Sequence, residues 1–208
     1  MSELTFREKG HKYFLDGEEI PSVSEVTRFL SREVYGDVDP IALERAAQKG
    51  TAIHQLTEKL DREGAVDVPF EYSGYMDAYC KFIDDHKPKW GMIEHMVHMG
   101  DNYAGTIDRY GFVDGKPAIV DIKTSKTVSK QNEVVYTAAQ NMYRMALEDE
   151  GYPVSDLYIL HLKPNGRYKL IKLPIDFGLA HSCLTIHQAF KQASIKRKVP
   201  VTKNEPVT

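Results

Sequence analysis

The chain has 208 residues, of which 42% are hydrophobic, so it is long enough for one domain with a buried core. Charged residues make up 27% of the chain, but the formal net charge is only −3, which argues against wholesale disorder. Its two cysteines, Cys80 and Cys183, are too few for a disulfide scaffold, a four-cysteine zinc site or a four-cysteine iron–sulfur cluster. No stretch approaches the roughly 20 apolar residues of a membrane-spanning helix, and no signal-peptide pattern opens the chain, so we expect a cytoplasmic protein without membrane contact.

The first predicted elements are a hairpin and a helix. Asp16-Gly17 is a strong turn signal between two short extended segments within residues 11–20. Ser22 and Glu25 have the spacing of a capping box, which predicts a helix whose apolar run extends from Val26 to Leu30.

Two longer helices follow. Asp39 and Pro40 supply an N-cap and a first-turn proline for a helix that runs to about Glu63 and ends at Gly64. The next helix is predicted from Tyr72 to about His86, and its stripe of aromatic residues indicates a core-facing side.

The second half of the chain alternates strands and helices. Three strands are predicted first, then a helix, two strands joined by a Pro-Asn-Gly turn, and a last helix. Their expected bounds are 93–99, 103–113 and 118–123 for the strands, 132–148 for the helix, 157–162 and 168–173 for the later strands, and about 176 for the start of the last helix.

The chain reads as a single domain over residues 1–208, because it contains no internal repeat, no low-complexity segment and no linker long enough to separate domains. Residues 1–38 form a hairpin and helix extension of that domain, and residues 196–208 form a basic tail.

Two carboxylates are predicted to face each other across one hairpin. If Asp114-Gly115 is the turn, Asp108 and Asp121 each lie six residues from it, so their Cβ atoms stand about 5 Å apart. Such a pair is repulsive unless a cation binds between the carboxylates, and oxygen ligands suit a hard divalent ion such as Mg²⁺. Lys123 lies two residues after Asp121, so strand alternation points its ammonium to the same face.

A metal ion, a water molecule and a fixed positive charge together suit phosphodiester hydrolysis. The metal lowers the pKa of a bound water and neutralises phosphate charge, while the lysine orients the nucleophile or stabilises the developing negative charge. The alternative is that Asp108, Asp121 and Lys123 form a salt-bridged patch on an exposed face.

The segments around these residues carry a family resemblance. The motif Gly105-Thr106-Ile107-Asp108, followed by Asp121-Ile122-Lys123-Thr124, is similar to the core of PD-(D/E)XK nucleases, with Ile107 at the proline position of the name. The upstream Gly50-Thr51-Ala52-Ile53-His54 resembles the first motif of the RecB-like exonuclease branch, and residues 20–26 resemble a segment of phage and mitochondrial members.

A helix motif extends the same resemblance. Gln140 and Tyr143 resemble the Gln/Tyr helix motif of the branch, although the family usually spaces the two residues four apart rather than three. Both spacings place the pair on one helical face, and Tyr136, four residues before Gln140, is the rival for the tyrosine position. The resemblance implies that this helix positions the DNA or Lys123.

The resemblance implies a restriction-endonuclease-like α/β fold, in which helices flank a central mixed β-sheet. It also implies a DNA exonuclease that uses Mg²⁺ or Mn²⁺ and leaves 5′-phosphates in phage or bacterial DNA recombination, repair or processing. The implied metal ligands are the side chains of His54, Asp108 and Asp121 and the carbonyl of Ile122, and Glu94 is expected to approach a second metal. Asp108, Asp121 and Lys123 are the expected catalytic residues.

The loop after the catalytic lysine is expected to meet DNA. Thr124, Lys126 and Lys130 are candidates for contacts with the phosphate backbone, although solvated lysines in a loop are the plain alternative. His95 and His98 have a spacing that suggests a zinc pair, but strand alternation would point them to opposite faces, so we reject that site.

Several alternatives for function stay open. The same core suits a structure-specific endonuclease, and a non-catalytic DNA-binding module of a recombination complex is a possibility from another functional class. The expected partner is DNA, with a recombinase or a single-strand-binding protein as a further candidate. The chain has no phosphate-cradling Gly-Lys-Ser/Thr motif, so we expect no use of ATP.

Overall fold

A small antiparallel sheet forms the N-terminal part of the computed structural model, which describes residues 3–198. Its strands are β1 (Leu4–Arg7), β2 (Lys12–Leu15) and β3 (Glu18–Ile20). Asp16 and Gly17 both have positive φ, as a tight hairpin turn requires, so the predicted β2–β3 hairpin is confirmed. The sequence reading missed β1, because its mostly exposed side chains show no apolar alternation.

The helix predicted from Ser22 is split in two. The capping box forms as expected and starts α1 (Val23–Val26), but a second helix, α2, occupies Arg28–Tyr35. Thr27 separates them with ψ near 4°, and its hydroxyl donates a hydrogen bond to the Val23 carbonyl. The expected single helix through Leu30 is therefore interrupted at Thr27.

The two longer helices have the predicted boundaries. Helix α3 spans Pro40–Glu63, where Asp39 caps the first turn and Gly64 ends the helix in the left-handed conformation. Helix α4 spans Ser73–His86. Its aromatic stripe is buried, as expected.

A five-stranded mixed sheet forms the centre of the structure. Its strands, in spatial order, are β4 (Lys89–His98), β5 (Ala104–Val113), β6 (Lys116–Lys123), β7 (Asp156–Leu162) and β8 (Tyr168–Leu173). Only β6 and β7 pair in parallel, because α5 (Lys130–Asp149) forms the crossover between them. The mixed sheet flanked by helices confirms the predicted fold class.

Helices cover both faces of this sheet. Ile119 and Ile159 share a buried cluster with residues of α5 and of α6 (Phe177–Lys198), whereas Val120 and Leu160 share one with residues of α3 and α4. Because neighbouring strand residues alternate between faces, Asp121 lies on the α5 side.

The basic C-terminal tail is described only in part. Of the basic tail expected at residues 196–208, residues 199–208 lie outside the described part of the chain. No helix within residues 3–198 combines the length and apolar character needed to cross a membrane.

Candidate metal centre

The hairpin that carries the two predicted catalytic acids has the expected turn. Asp114 and Gly115 have positive φ, and the ladder runs from Val113–Lys116 to Arg109–Val120. The ladder ends one position before Asp108 and Asp121. There the Asp108 Oδ2 accepts a hydrogen bond of 2.7 Å from the backbone N–H of Ile122, so a side chain replaces the backbone pairing.

Three side chains from three elements converge beside this point. One ligand atom each from His54 on α3, Glu94 on β4 and Asp108 on β5 lies within 4.8 Å of the other two. The His54 Nδ1 is 3.5 Å from Asp108 Oδ2 and 3.8 Å from Glu94 Oε1. The side chains are 12–25% exposed, so the group is partly shielded from water yet accessible.

The Ile122 carbonyl adds an oxygen to this group. His54 Nε2 lies 2.9 Å from it, which is a hydrogen-bond distance. Neighbouring ligand atoms of an octahedral Mg²⁺ site are about 3.0 Å apart when the metal–oxygen bonds are about 2.1 Å. An imidazole, two carboxylates and a carbonyl are donor types that suit a hard or borderline divalent cation, although the ring meets the carbonyl with one nitrogen and the acids with the other.

The local electrostatics also favour a cation. Burial lowers the pKa of His54, but the negative charge of Asp108 and the nearby Glu94 carboxylate outweigh burial and raise this pKa to about 9. The clustered negative charge thus favours a cation at this point, and a metal ion bound there by His54 would require a neutral imidazole.

Asp121 pairs with the predicted catalytic lysine. Its Oδ2 lies 2.6 Å from Lys123 Nζ, and the Asp121 carboxylate is outside the convergent group of His54, Glu94 and Asp108. Burial and the nearby charge of Asp108 raise the pKa of Asp121, against the opposing effect of Lys123. The two side chains are 14% and 31% exposed, so they do not form the exposed salt-bridged patch considered as the alternative.

Helix α5 supports Lys123 through a tyrosine. The Lys123 ammonium lies 5.5 Å from the centre of the Tyr136 ring, and the Tyr136 hydroxyl meets that of Tyr35 at 3.2 Å. Burial lowers the pKa of Lys123, but the charges of Asp121 and Asp108 outweigh burial and raise it. Lys123 is therefore a cation at neutral pH.

The other residues of the predicted helix motif are placed behind the site. The Tyr143 ring covers Gly105, where a Cβ would overlap it, which explains why this motif position carries glycine. Of the two rival tyrosines, Tyr136 is thus the one that contacts Lys123. Gln140 is only 2% exposed in the structure, so its predicted role in positioning DNA or Lys123 stays a prediction.

The loop after Lys123 divides into a buried and an exposed part. Thr124 is buried, and its hydroxyl lies next to Gly50 of α3. Lys126 and Lys130 are exposed, and Lys130 pairs with Glu133 at 2.7 Å. His161 of β7 contacts this loop, since its Nε2 lies 2.6 Å from the Ser125 carbonyl. The sequence did not predict this contact.

Arg109 is the main residue that the sequence reading missed. Its guanidinium donates hydrogen bonds to the Glu94 carboxylate and to the Asp108 carbonyl, at 3.1 and 2.7 Å. Strand alternation predicts only that Arg109 points away from the Asp108 carboxylate. The acids that it meets on α3 and β4 depend on packing between elements that are distant in sequence.

Comparison with known proteins bears on the fold. No family model and no curated protein sequence matches the chain. A solved structure from Eubacterium rectale, described as a "Putative exonuclease", matches over 91% of this chain and 89% of its own, with 12% identity and a TM-score of 0.56. The two proteins share a fold. An alkaline exonuclease from Laribacter hongkongensis matches over 71% of this chain and 81% of its own, with 9% identity and a TM-score of 0.43.

Proposed function

We propose that this protein is a deoxyribonuclease of the PD-(D/E)XK type, in the RecB-like branch, that depends on Mg²⁺ or Mn²⁺. The observation that carries the proposal is the convergence of His54, Glu94 and Asp108 beside the Asp121–Lys123 pair, where α3 meets the middle of β4 and β5 and the end of β6. The fold shared with a protein described as an exonuclease supports it.

The ligand set can be assigned residue by residue. His54, Asp108 and the Ile122 carbonyl would hold the metal, and Glu94 would complete the shell or approach a second ion. Once bound, the metal supplies charge neutralisation at the phosphate and a water of lowered pKa. Asp121 holds Lys123 in the present arrangement, so a role as a ligand requires its carboxylate to release the ammonium.

Lys123 acts as a fixed positive charge. Because its pKa is raised, the ammonium stays protonated and donates hydrogen bonds rather than accepting a proton. Asp121 and the Tyr136 ring hold the Lys123 ammonium at the end of strand β6, on the face of the sheet that α5 covers. From there it would orient the attacking water or stabilise negative charge on the phosphate as that charge develops.

The substrate of this proposal is DNA. Lys126, exposed on the loop that follows Lys123, and Lys130, exposed at the start of α5, would contact the phosphate backbone. We propose exonucleolytic cleavage that leaves 5′-phosphates, in phage or bacterial recombination, repair or processing, with a recombinase or single-strand-binding protein as a candidate partner. Convergent acids argue against a purely DNA-binding role, since without a cation they repel phosphate.

One digestion assay tests the proposal. End-labelled linear DNA and closed circular DNA, single- and double-stranded, are incubated with Mg²⁺, with Mn²⁺ or with a chelator. We expect metal-dependent release of nucleotides from linear DNA only, whereas cleavage of circles would indicate an endonuclease.

Two variants of the same hairpin sharpen the assay. Asp108→Asn should be inactive, whereas Asp114→Asn, which changes an exposed acid of the turn that pairs with His86, should cleave like the wild type. Full activity of purified Asp108→Asn, or wild-type cleavage in the presence of chelator, would contradict the metal-site assignment.

A further inference from the structure

The Arg109 guanidinium is entirely buried and hydrogen-bonded in four directions. Its Nε donates to Asp61 Oδ2 at 2.7 Å, and Nη2 donates to Thr57 Oγ1 at 3.1 Å. Its Nη1 donates to the Asp108 carbonyl and to Glu94 Oε1. The guanidinium thus joins two residues of α3 to two residues of the candidate metal centre.

The Asp61 carboxylate supplies the negative charge that stabilises the buried Arg109 guanidinium. Its side chain is 4% exposed, and the Tyr79 hydroxyl of α4 also donates to it, at 2.5 Å. Burial raises the pKa of Tyr79, so the hydroxyl keeps its proton and remains a donor. A buried arginine requires such compensation, because desolvation of an unpaired charge is strongly unfavourable.

Glu94 has an unusual backbone at the point where Arg109 contacts it. Its φ is +48°, in the left-handed region that a glutamate rarely adopts. The register is continuous around it, since Ile93 pairs with Arg109 and His95 pairs with Ile107. Glu94 thus leaves the β4–β5 ladder although the register on either side of it does not shift. The strain of its positive φ persists only where neighbouring groups hold the backbone in this conformation.

One face of α3 supplies these constraints. His54, Thr57 and Asp61 follow one another at helical spacing, so the helix that presents the imidazole also holds the guanidinium. Arg62 of the same helix donates a hydrogen bond of 2.7 Å to the Ile93 carbonyl, next to Glu94.

We propose that Arg109, held by Asp61, is a positioning residue that fixes the Glu94 carboxylate beside His54 and Asp108 and so completes the cation site. This inference rests on the proposed function. Arg109 does not touch the metal or the substrate. It acts through Glu94, and its positive charge also lowers the repulsion between Glu94 and Asp108 while no cation is bound.

Calorimetric titration with Mn²⁺ tests this role through four proteins: the wild type, Asp61→Asn, Glu94→Gln and the double variant. Outer partners of metal ligands typically contribute about 10–100-fold to metal affinity, so Asp61→Asn should weaken Mn²⁺ binding by at least about tenfold. In the Glu94→Gln background, the same substitution should change the affinity by less than about twofold, because the carboxylate that it positions is absent.

A matched control separates positioning from general damage to the fold. Asp156 is another buried carboxylate in an ion pair, with Lys172, and it lies at the start of β7, at the opposite end of the strand from the candidate site. Asp156→Asn should bind Mn²⁺ like the wild type. If circular dichroism shows that Asp61→Asn does not fold, Arg109→Lys takes its place, since lysine keeps the positive charge but its single ammonium cannot reproduce the fork that bonds Asp61 and Glu94 together.

The outcomes are distinct. Wild-type affinity in a folded Asp61→Asn, or in the Arg109→Lys that replaces it, refutes the positioning role and leaves the proposed nuclease intact. An equal loss with and without the Glu94 carboxylate also refutes it, because the effect would then be structural. A wild-type protein that neither binds Mn²⁺ nor cleaves DNA would overturn the proposed function and this inference together.

Discussion

Replacing Gly105 by alanine should destabilise the protein through one specific clash. Gly105 lies in β5 opposite Val97, and a Cβ there would overlap the Tyr143 ring of α5, with Oη and Cζ only 3.1 and 3.2 Å away. The ring must shift, and overpacking of this kind typically costs about 2 kcal/mol. In a domain of this size, that cost lowers the melting temperature by about 4–8 °C.

Thermal denaturation followed by circular dichroism measures this effect against a matched variant. In Gly91→Ala, on the neighbouring strand β4, the new Cβ would meet only the Tyr110 carbonyl at 3.8 Å, an ordinary contact, so its melting temperature should change little. Adding Tyr143→Leu to Gly105→Ala should recover part of the loss, because the shorter side chain makes room. A Gly105→Ala protein that melts with the wild type would refute the packing argument.

Three further predictions concern the site and the pH dependence of stability. Lys123→Ala should slow cleavage by about 100-fold or more while calorimetry shows unchanged Mn²⁺ affinity; a comparable loss of affinity would mean a structural lysine. His54→Ala should raise the Mn²⁺ concentration for half-maximal cleavage by at least about tenfold, and an unchanged requirement would exclude the imidazole from the metal shell. Burial raises the pKa of Asp156, but its hydrogen bonds with Lys172 and Tyr158 outweigh burial and lower it. Its carboxylate therefore stabilises the fold above the unfolded pKa of about 3.9 and loses that effect in more acidic solution. Urea melts should show Asp156→Asn less stable than the wild type at neutral pH, with the difference shrinking as the pH falls below the unfolded pKa of about 3.9; a constant difference would contradict this linkage.

Local sequence determined the turns, the caps and the hairpin that carries the two predicted catalytic acids. Asp16-Gly17 and Asp114-Gly115 adopt positive φ, and Asp39 caps α3 through adjacent backbone N–H groups. These features depend on residues within a few positions of one another, so their chemistry is visible in the sequence. The register of the β5–β6 hairpin follows from its turn for the same reason.

The tertiary structure decided which groups meet at the end of that hairpin. Arg109 and Asp61 are 48 residues apart, and their pairing depends on how α3 lies across the sheet. The same packing brings His54 to the Ile122 carbonyl, 68 residues away, and leaves Asp121 with Lys123 rather than with the convergent acids. No periodicity or turn signal encodes such contacts, because they arise when buried charges find counter-charges on another element.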